Sequence, residues 1–171
     1  MNLGALLHLG ADEQKLREQL GRLGVGGWSL QIERSTRGIL SGMRVRVETE
    51  GPEPARSLDG IQRLLGGGSL SEGVLGRAQR IFTLLAEAEA RVHGTSVDRI
   101  HMHEVGALDA LIDVVGACIC LELLQVEEVH ASALPLGSGE VQCAHGIVPI
   151  PAPATLELLA GVPVYQDDRS V

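Results

Sequence analysis

From Val105 to Leu124 the chain is apolar almost all the way round a helical projection, and only Asp109, Asp113 and Glu122 interrupt it. A helix of this kind cannot rest on a surface by one stripe; it has to be central, with other elements packed round it. The carboxylates sharpen the constraint. Asp109 and Asp113 lie one turn apart, on a stripe continued by Gly116 and Cys120. An unpaired carboxylate in apolar surroundings is costly or takes up a proton, so this stripe calls for a cation, an arginine or backbone donors. A buried ion pair or a cap for neighbouring loops is the structural alternative.

The residues just before that helix add to the cluster, giving His-Met-His-Glu-Val-Gly-Ala-Leu-Asp-Ala-Leu-Ile-Asp over 101 to 113. Alternation over Arg99 to His103 predicts a short strand, with Ile100 and Met102 on one face and His101 and His103 on the other. Two imidazoles so placed chelate one cation or serve two sites, and neutral imidazole suits nickel, zinc and cobalt alike. A hydrogen-bonded surface pair of histidines is the plainer alternative.

Composition narrows the function classes. Aromatic residues make up 2% of the 171 residues against 44% hydrophobic, so Trp28, Phe82 and Tyr165 are the only rings and the core is built from Leu, Val, Ile and Ala. Base stacking is therefore not expected to drive binding. A formal net charge of -8 with no Lys/Arg cluster argues against nucleic-acid and anionic-membrane partners and favours metal cations. Cys118, Cys120 and Cys143 are an odd set, two of them inside the apolar helix, and are expected to be reduced thiols. The start, MNLGALLHLGADEQ, lacks the basic region of a secretory signal, and no segment has the apolar length of a membrane span. A cytoplasmic protein with one main domain is expected.

Helices are predicted over 2–9, Ala11 to Leu23, Ser71 to His93 (stripe Val74, Ala78, Ile81, Leu85, Ala88), Glu104 to Leu124 and about Ala154 to Ala160. Trp28 to Ile32 and Met43 to Val47 alternate and form an antiparallel pair with one wet face. Further strands are expected at Glu128 to Ala133, Glu140 to Cys143 and Val162 to Tyr165, with an extended Pro-rich run at Val148 to Pro153. The result is an α/β class (mixed α+β) chain: a layered domain with a buried central helix, short strands and a small N-terminal helix/hairpin lobe. Residues 1–50 form that lobe, 51–70 a Gly/Pro-rich linker with one helical turn at Ile61 to Leu65, and 71–171 the main α/β region carrying the His/Asp motif.

Gly137, Ser138 and Gly139 follow a strand and either wrap a phosphate with backbone N–H groups or simply turn a hairpin. His145, beside Gly146, stands in a loop where ligands and general bases often lie. Pro149 to Thr155 leads rigidly into a helix, where Thr155 and the free N–H groups either hold an anion or only dock the last helix.

Three segments in this order, residues 101–116, Leu-Pro-Leu-Gly-Ser-Gly at 134–139 and Ala-His-Gly-Ile-Val-Pro-Ile-Pro-Ala-Pro-Ala-Thr-Leu-Glu-Leu-Leu at 144–159, closely resemble the LarC family of nickel-insertion proteins, also called nickel chelatases. Leu3 to Leu7, Arg37 to Gly42 and Ala86 to Gly94 extend the likeness over nearly the whole chain. It implies insertion of Ni(II) into pyridinium-3,5-bisthiocarboxylic acid mononucleotide, a lyase-type reaction of nickel-pincer cofactor biosynthesis that consumes CTP with Mg2+ or Mn2+. On this sequence the matching motifs offer His101, His103, Asp109 and Asp113 as metal ligands, Glu104, Asp109 and His145 as catalytic bases, and Gly137, Ser138, Gly139 and Thr155 for the nucleotide. The chain resembles the family truncated at both ends, without its C-terminal CTP-handling region. A non-catalytic nickel- or nucleotide-binding fragment that needs a separate C-terminal partner chain, and a metal-dependent hydrolase, are the competing readings; homo-oligomers fit any of them.

Overall fold

The computed structural model describes residues 2–51, 55–102, 105–143 and 146–166. Its organising element is the apolar segment: counting helices in chain order, α5 (Leu108–Leu123) is touched by α1 (Asn2–His8), α2 (Glu13–Gly21), α4 (Glu72–Val92) and the hairpin strand β2 (Leu40–Thr49). Leu111, Ile112, Val115, Ile119 and Cys120 of α5 are wholly buried by these neighbours. The expected central helix is present, and it starts at Leu108.

Each surrounding helix forms for a local reason. Ser57, Ser71 and Asp12 are N-caps whose side-chain oxygens accept from Gly60, Val74 and Lys15, fixing the starts of α3 (Leu58–Gly67), α4 and α2. The short turn expected inside 51–70 is in fact this ten-residue α3, because Ile61 and Leu65 recur at helical spacing and are both fully buried. α4 buries Val74, Ala78 and Ala88 of the expected stripe and packs Leu85 against the core, but it also buries Phe82, Ala86 and Ala90 and leaves Ile81 exposed. The reason is that α4 packs against both α3 and α5 and turns its one ring, Phe82, into the core.

β1 (Trp28–Arg37) pairs antiparallel with β2 along its full length, from Trp28 opposite Thr49 to Arg37 opposite Leu40. The inner face of this hairpin, Leu30, Ile32, Val45 and Val47, packs on the core. Gly4 allows the approach of α1 to β2: a Cβ there would overlap the Met43 carbonyl.

Beyond α5 the chain changes character. β3 (Leu134–Leu136) pairs in parallel with β6 (Val164–Gln166), and β4 (Glu140–Cys143) pairs antiparallel with β5 (Gly146–Pro149). α6 (Pro153–Leu158) bridges the two sheets and packs on α4, with Arg91 Nε 2.9 Å from Glu157 Oε2. The strand expected at Glu128 to Ala133 is absent; those residues are irregular and exposed, and the strand comes instead at Leu134, where Pro163 supplies a backbone carbonyl to the Leu134 N–H at 3.0 Å. No helix among the described residues is long and apolar enough to cross a membrane.

Candidate functional site

The loop into α5 is positioned from outside its own sequence. Met102 exchanges two backbone hydrogen bonds with Arg56, and the Arg56 guanidinium donates to the Gly106 carbonyl at 2.7 Å. Of the short strand expected at Arg99 to His103, the described residues form a single bridge, between Met102 and Arg56. Met102 and Ile100 are buried as the alternation implies, while His101 is exposed in an irregular stretch between them. His103, Glu104 and His145 lie outside the described residues.

Asp109 and Asp113 stand on one face of α5, one turn apart, as their spacing requires. That face is the exposed one, whereas Gly116 and Cys120, further along the same stripe, are buried. The expectation that both carboxylates are sunk in apolar surroundings is thus corrected: α1 covers the helix at Gly116, where Leu3 packs, and leaves the first two turns open. Asp109 caps the N-terminal end of α5, accepting from the Ala110 N–H at 2.7 Å. Ala107, at the N-cap, offers no side chain for this.

Asp113 faces a groove of about 480 Å³ whose other walls are Asn2, Leu3, Ile81, Val114 and Ala117. This partial burial pushes its carboxyl above the usual range, against the opposing charge of the N-terminus, and the negative charge of Asp109 adds to the shift. No ion pair among the described residues neutralises either aspartate. Among the described residues no three His, Cys, Asp or Glu side chains come together as a metal cage, so His101, Asp109 and Asp113 do not form one by themselves.

The phosphate candidates fall elsewhere. Gly137 and Thr155 line one cleft of about 410 Å³, with Leu134, Leu136, Ile150 and Leu159 among its apolar walls. Ser138 and Gly139 carry the chain on to β4, and the Gly139 carbonyl accepts from Ile150 at 2.9 Å. The three residues do not turn a hairpin, since β3 and β4 belong to different sheets. α6 behind Thr155 is only six residues long and has no side-chain cap.

A second cleft, of about 400 Å³, brings Glu89, His93 and Cys143 together with Val92, Val141 and Val148. Sequence reasoning passed over Glu89 and His93, although their four-residue spacing at the end of a long helix places them on one face; His93 Nε2 is 3.6 Å from Glu89 Oε2. Nothing in the sequence ties them to Cys143, which arrives through the α4 to α6 packing. Cys118 and Cys120 are free thiols buried in α5.

A family model described as "Nickel insertion protein" matches residues 1–170. Three bacterial proteins, each provisionally named a nickel insertion protein, align over almost the whole chain. The one from Roseiflexus castenholzii is 53% identical over 170 residues, covering 98% of this chain and 43% of its own length. That from Dictyoglomus thermophilum is 44% identical over 169 residues, 99% of this chain and 44% of its own. The Geobacter sulfurreducens protein is 45% identical over 167 residues, 96% and 43%. The chain therefore spans less than half the length of these relatives. No solved structure matches it.

Proposed function

The chain belongs to the nickel insertion protein family, and from that premise we propose that it supplies the nickel-binding region of a protein that inserts Ni(II) into pyridinium-3,5-bisthiocarboxylic acid mononucleotide in the cytoplasm. The observation that carries the reading is the pair Asp109 and Asp113: two neighbouring carboxylates on an open helix face, in no ion pair with an arginine or lysine among the described residues, shortly after the His101 to Glu104 motif. Two like charges one turn apart destabilise each other until a cation arrives.

Nickel is the substrate here, and His101, His103, Asp109 and Asp113 are its proposed ligands. Borderline imidazole and hard carboxylate together suit a divalent ion that must afterwards be handed on, since neither holds it as firmly as a thiolate cage. Insertion forms one nickel–carbon and two nickel–sulfur bonds, and the ring carbon gives up a proton as the metal takes its place. Glu104, Asp109 and His145 are the proposed acceptors of that proton. The monophosphate of the substrate is assigned to the exposed Ser138 and Gly139 backbone at the rim of the apolar cleft that Gly137 and Thr155 line, and not to its interior.

CTP with Mg2+ or Mn2+, which the resemblance brings, does not fit this cleft: among the described residues its lining carries no basic side chain and no carboxylate to hold a metal–triphosphate. No step is routed through it. A non-catalytic role, in which the chain binds nickel or the nucleotide and a separate C-terminal partner chain completes the reaction, is the second reading; it is favoured by that same absence.

Nickel titration of the chain beside His101→Ala and Asp109→Ala tests the proposal. Each variant should bind about tenfold more weakly or worse. Unchanged affinity in both would remove the metal assignment.

A further inference from the structure

None of the described residues after Cys120 is buried, although this stretch forms four strands and a helix. Val129, Leu134, Val141, Ile147, Val164 and Tyr165 are all large, apolar and open to solvent. By contrast, residues 3 to 120 contribute a contiguous core. Exposed apolar residues scattered singly need no explanation, but a whole layer without one buried side chain does.

The sheet topology points the same way. β3 and β6 are parallel, three residues each, and joined by a crossover that contains α6. Parallel sheets persist because both faces are covered, and two strands of this length do not supply that cover. The cleft between β3 and α6, about 410 Å³, is walled by Leu134, Leu136, Ile150 and Leu159. A layer with parallel pairing, open edges and an unfilled apolar cleft has the form of one side of a larger α/β unit.

We propose that the face made by β3, β6, α6 and the β4–β5 hairpin is a docking surface for further polypeptide of the same family protein, which adds at least one strand to the β3–β6 sheet and fills the cleft beside α6. The occupant is identified by length: each relative matched over nearly all of this chain has more than half its own polypeptide outside the match. The docking does not depend on the nickel assignment, because none of its surface includes His101, Asp109 or Asp113.

Hydrogen exchange on this chain and on the full Roseiflexus castenholzii relative, each scaled to its own α5 amides, reads the proposal directly. Amides matching Leu134 to Leu136 and Val164 to Gln166 should exchange about tenfold or more slowly in the relative than here. Lysine placed in the relative at the position matching Val164 should speed that exchange, and lysine at the position matching Ile39, fully exposed on the far hairpin, should not. Equal scaled rates in the two wild-type proteins would overturn the proposal whatever the variants do. So would a relative whose protection disappears on dilution, or sedimentation showing this chain self-associated with the same amides protected, since either gives the face to a second copy.

Discussion

Arg56 and Gly106, fifty positions apart, are joined by a hydrogen bond of 2.7 Å from the guanidinium Nη1 to the glycine carbonyl. Together with the two backbone bonds between Arg56 and Met102, at 3.0 and 3.3 Å, it clamps the loop that leads into α5. The clamp needs close approach. A Cβ on Gly106 would overlap the Met102 carbonyl oxygen and come within 3.2 Å of the Arg56 nitrogen.

Gly106→Ala is therefore expected to push the loop away from Arg56 and to destabilise the fold by about 1–3 kcal/mol, the usual cost of overpacking against backbone. Urea unfolding measures the loss. If this loop presents the nickel ligands, the variant should also bind nickel more weakly under conditions where it is fully folded. A folded Gly106→Ala protein with wild-type nickel affinity would separate the clamp from the site.

Phe82 is the only ring wholly buried in the core, held by α4 against its neighbours. With so few aromatic residues nothing nearby can swing in to fill its space, so Phe82→Ala should cost about 3–5 kcal/mol. Ile39→Ala, at a side chain 101% exposed on the hairpin tip, should stay within about 0.5 kcal/mol. Chemical denaturation of the two variants in parallel checks both.

Acid titration addresses Asp113. Burial in its groove and the Asp109 charge raise its folded pKa above the ordinary carboxylate value, so the folded state holds the proton more tightly than the unfolded chain. Stability from this group is present at low pH and is lost as pH rises through the unfolded and then the folded pKa. Asp113→Asn, which keeps the shape without the charge, should flatten that part of the stability curve and leave the protein no less stable at neutral pH. The same proton competes with nickel, so affinity should fall on acidification more steeply in the wild type than in the variant. A stability curve unaltered by Asp113→Asn would discount the shift.

The core was largely legible in the sequence because its signals are local. The apolar girdle of Leu108 to Leu123 fixes a central helix, Ser71 and the stripe behind it fix α4, and alternation at Trp28 to Ile32 and Met43 to Val47 fixes the hairpin. What escaped depends on distant contacts. The exposure of Asp109 follows from where α1 stops covering α5, and the bridge at Met102 depends on Arg56. No periodicity in either segment encodes its partner. Beyond Leu124 local patterns mislead for another reason: Glu128 to Ala133 pairs with no strand among the described residues, while Leu134 is paired because Pro163 returns beside it.

Thiol labelling offers a probe of both the core and the second cleft. The attacking species is the thiolate, and burial pushes the Cys120 thiol up to about 11 and that of Cys118 upward as well, against the opposing charge of Arg77. Cys143 is only half-buried, in the wall of the cleft that also holds Glu89 and His93. A disulfide-exchange reagent at pH 8 should therefore modify one thiol promptly in the native protein, and the other two only as α5 opens. Cys143→Ser should abolish the prompt phase and leave the slow one unchanged. Three prompt equivalents would mean that α5 is not the sealed centre of the fold; a prompt phase slowed by nickel would place Cys143 within reach of bound metal, through a residue that the His101 to Asp113 motif does not contain.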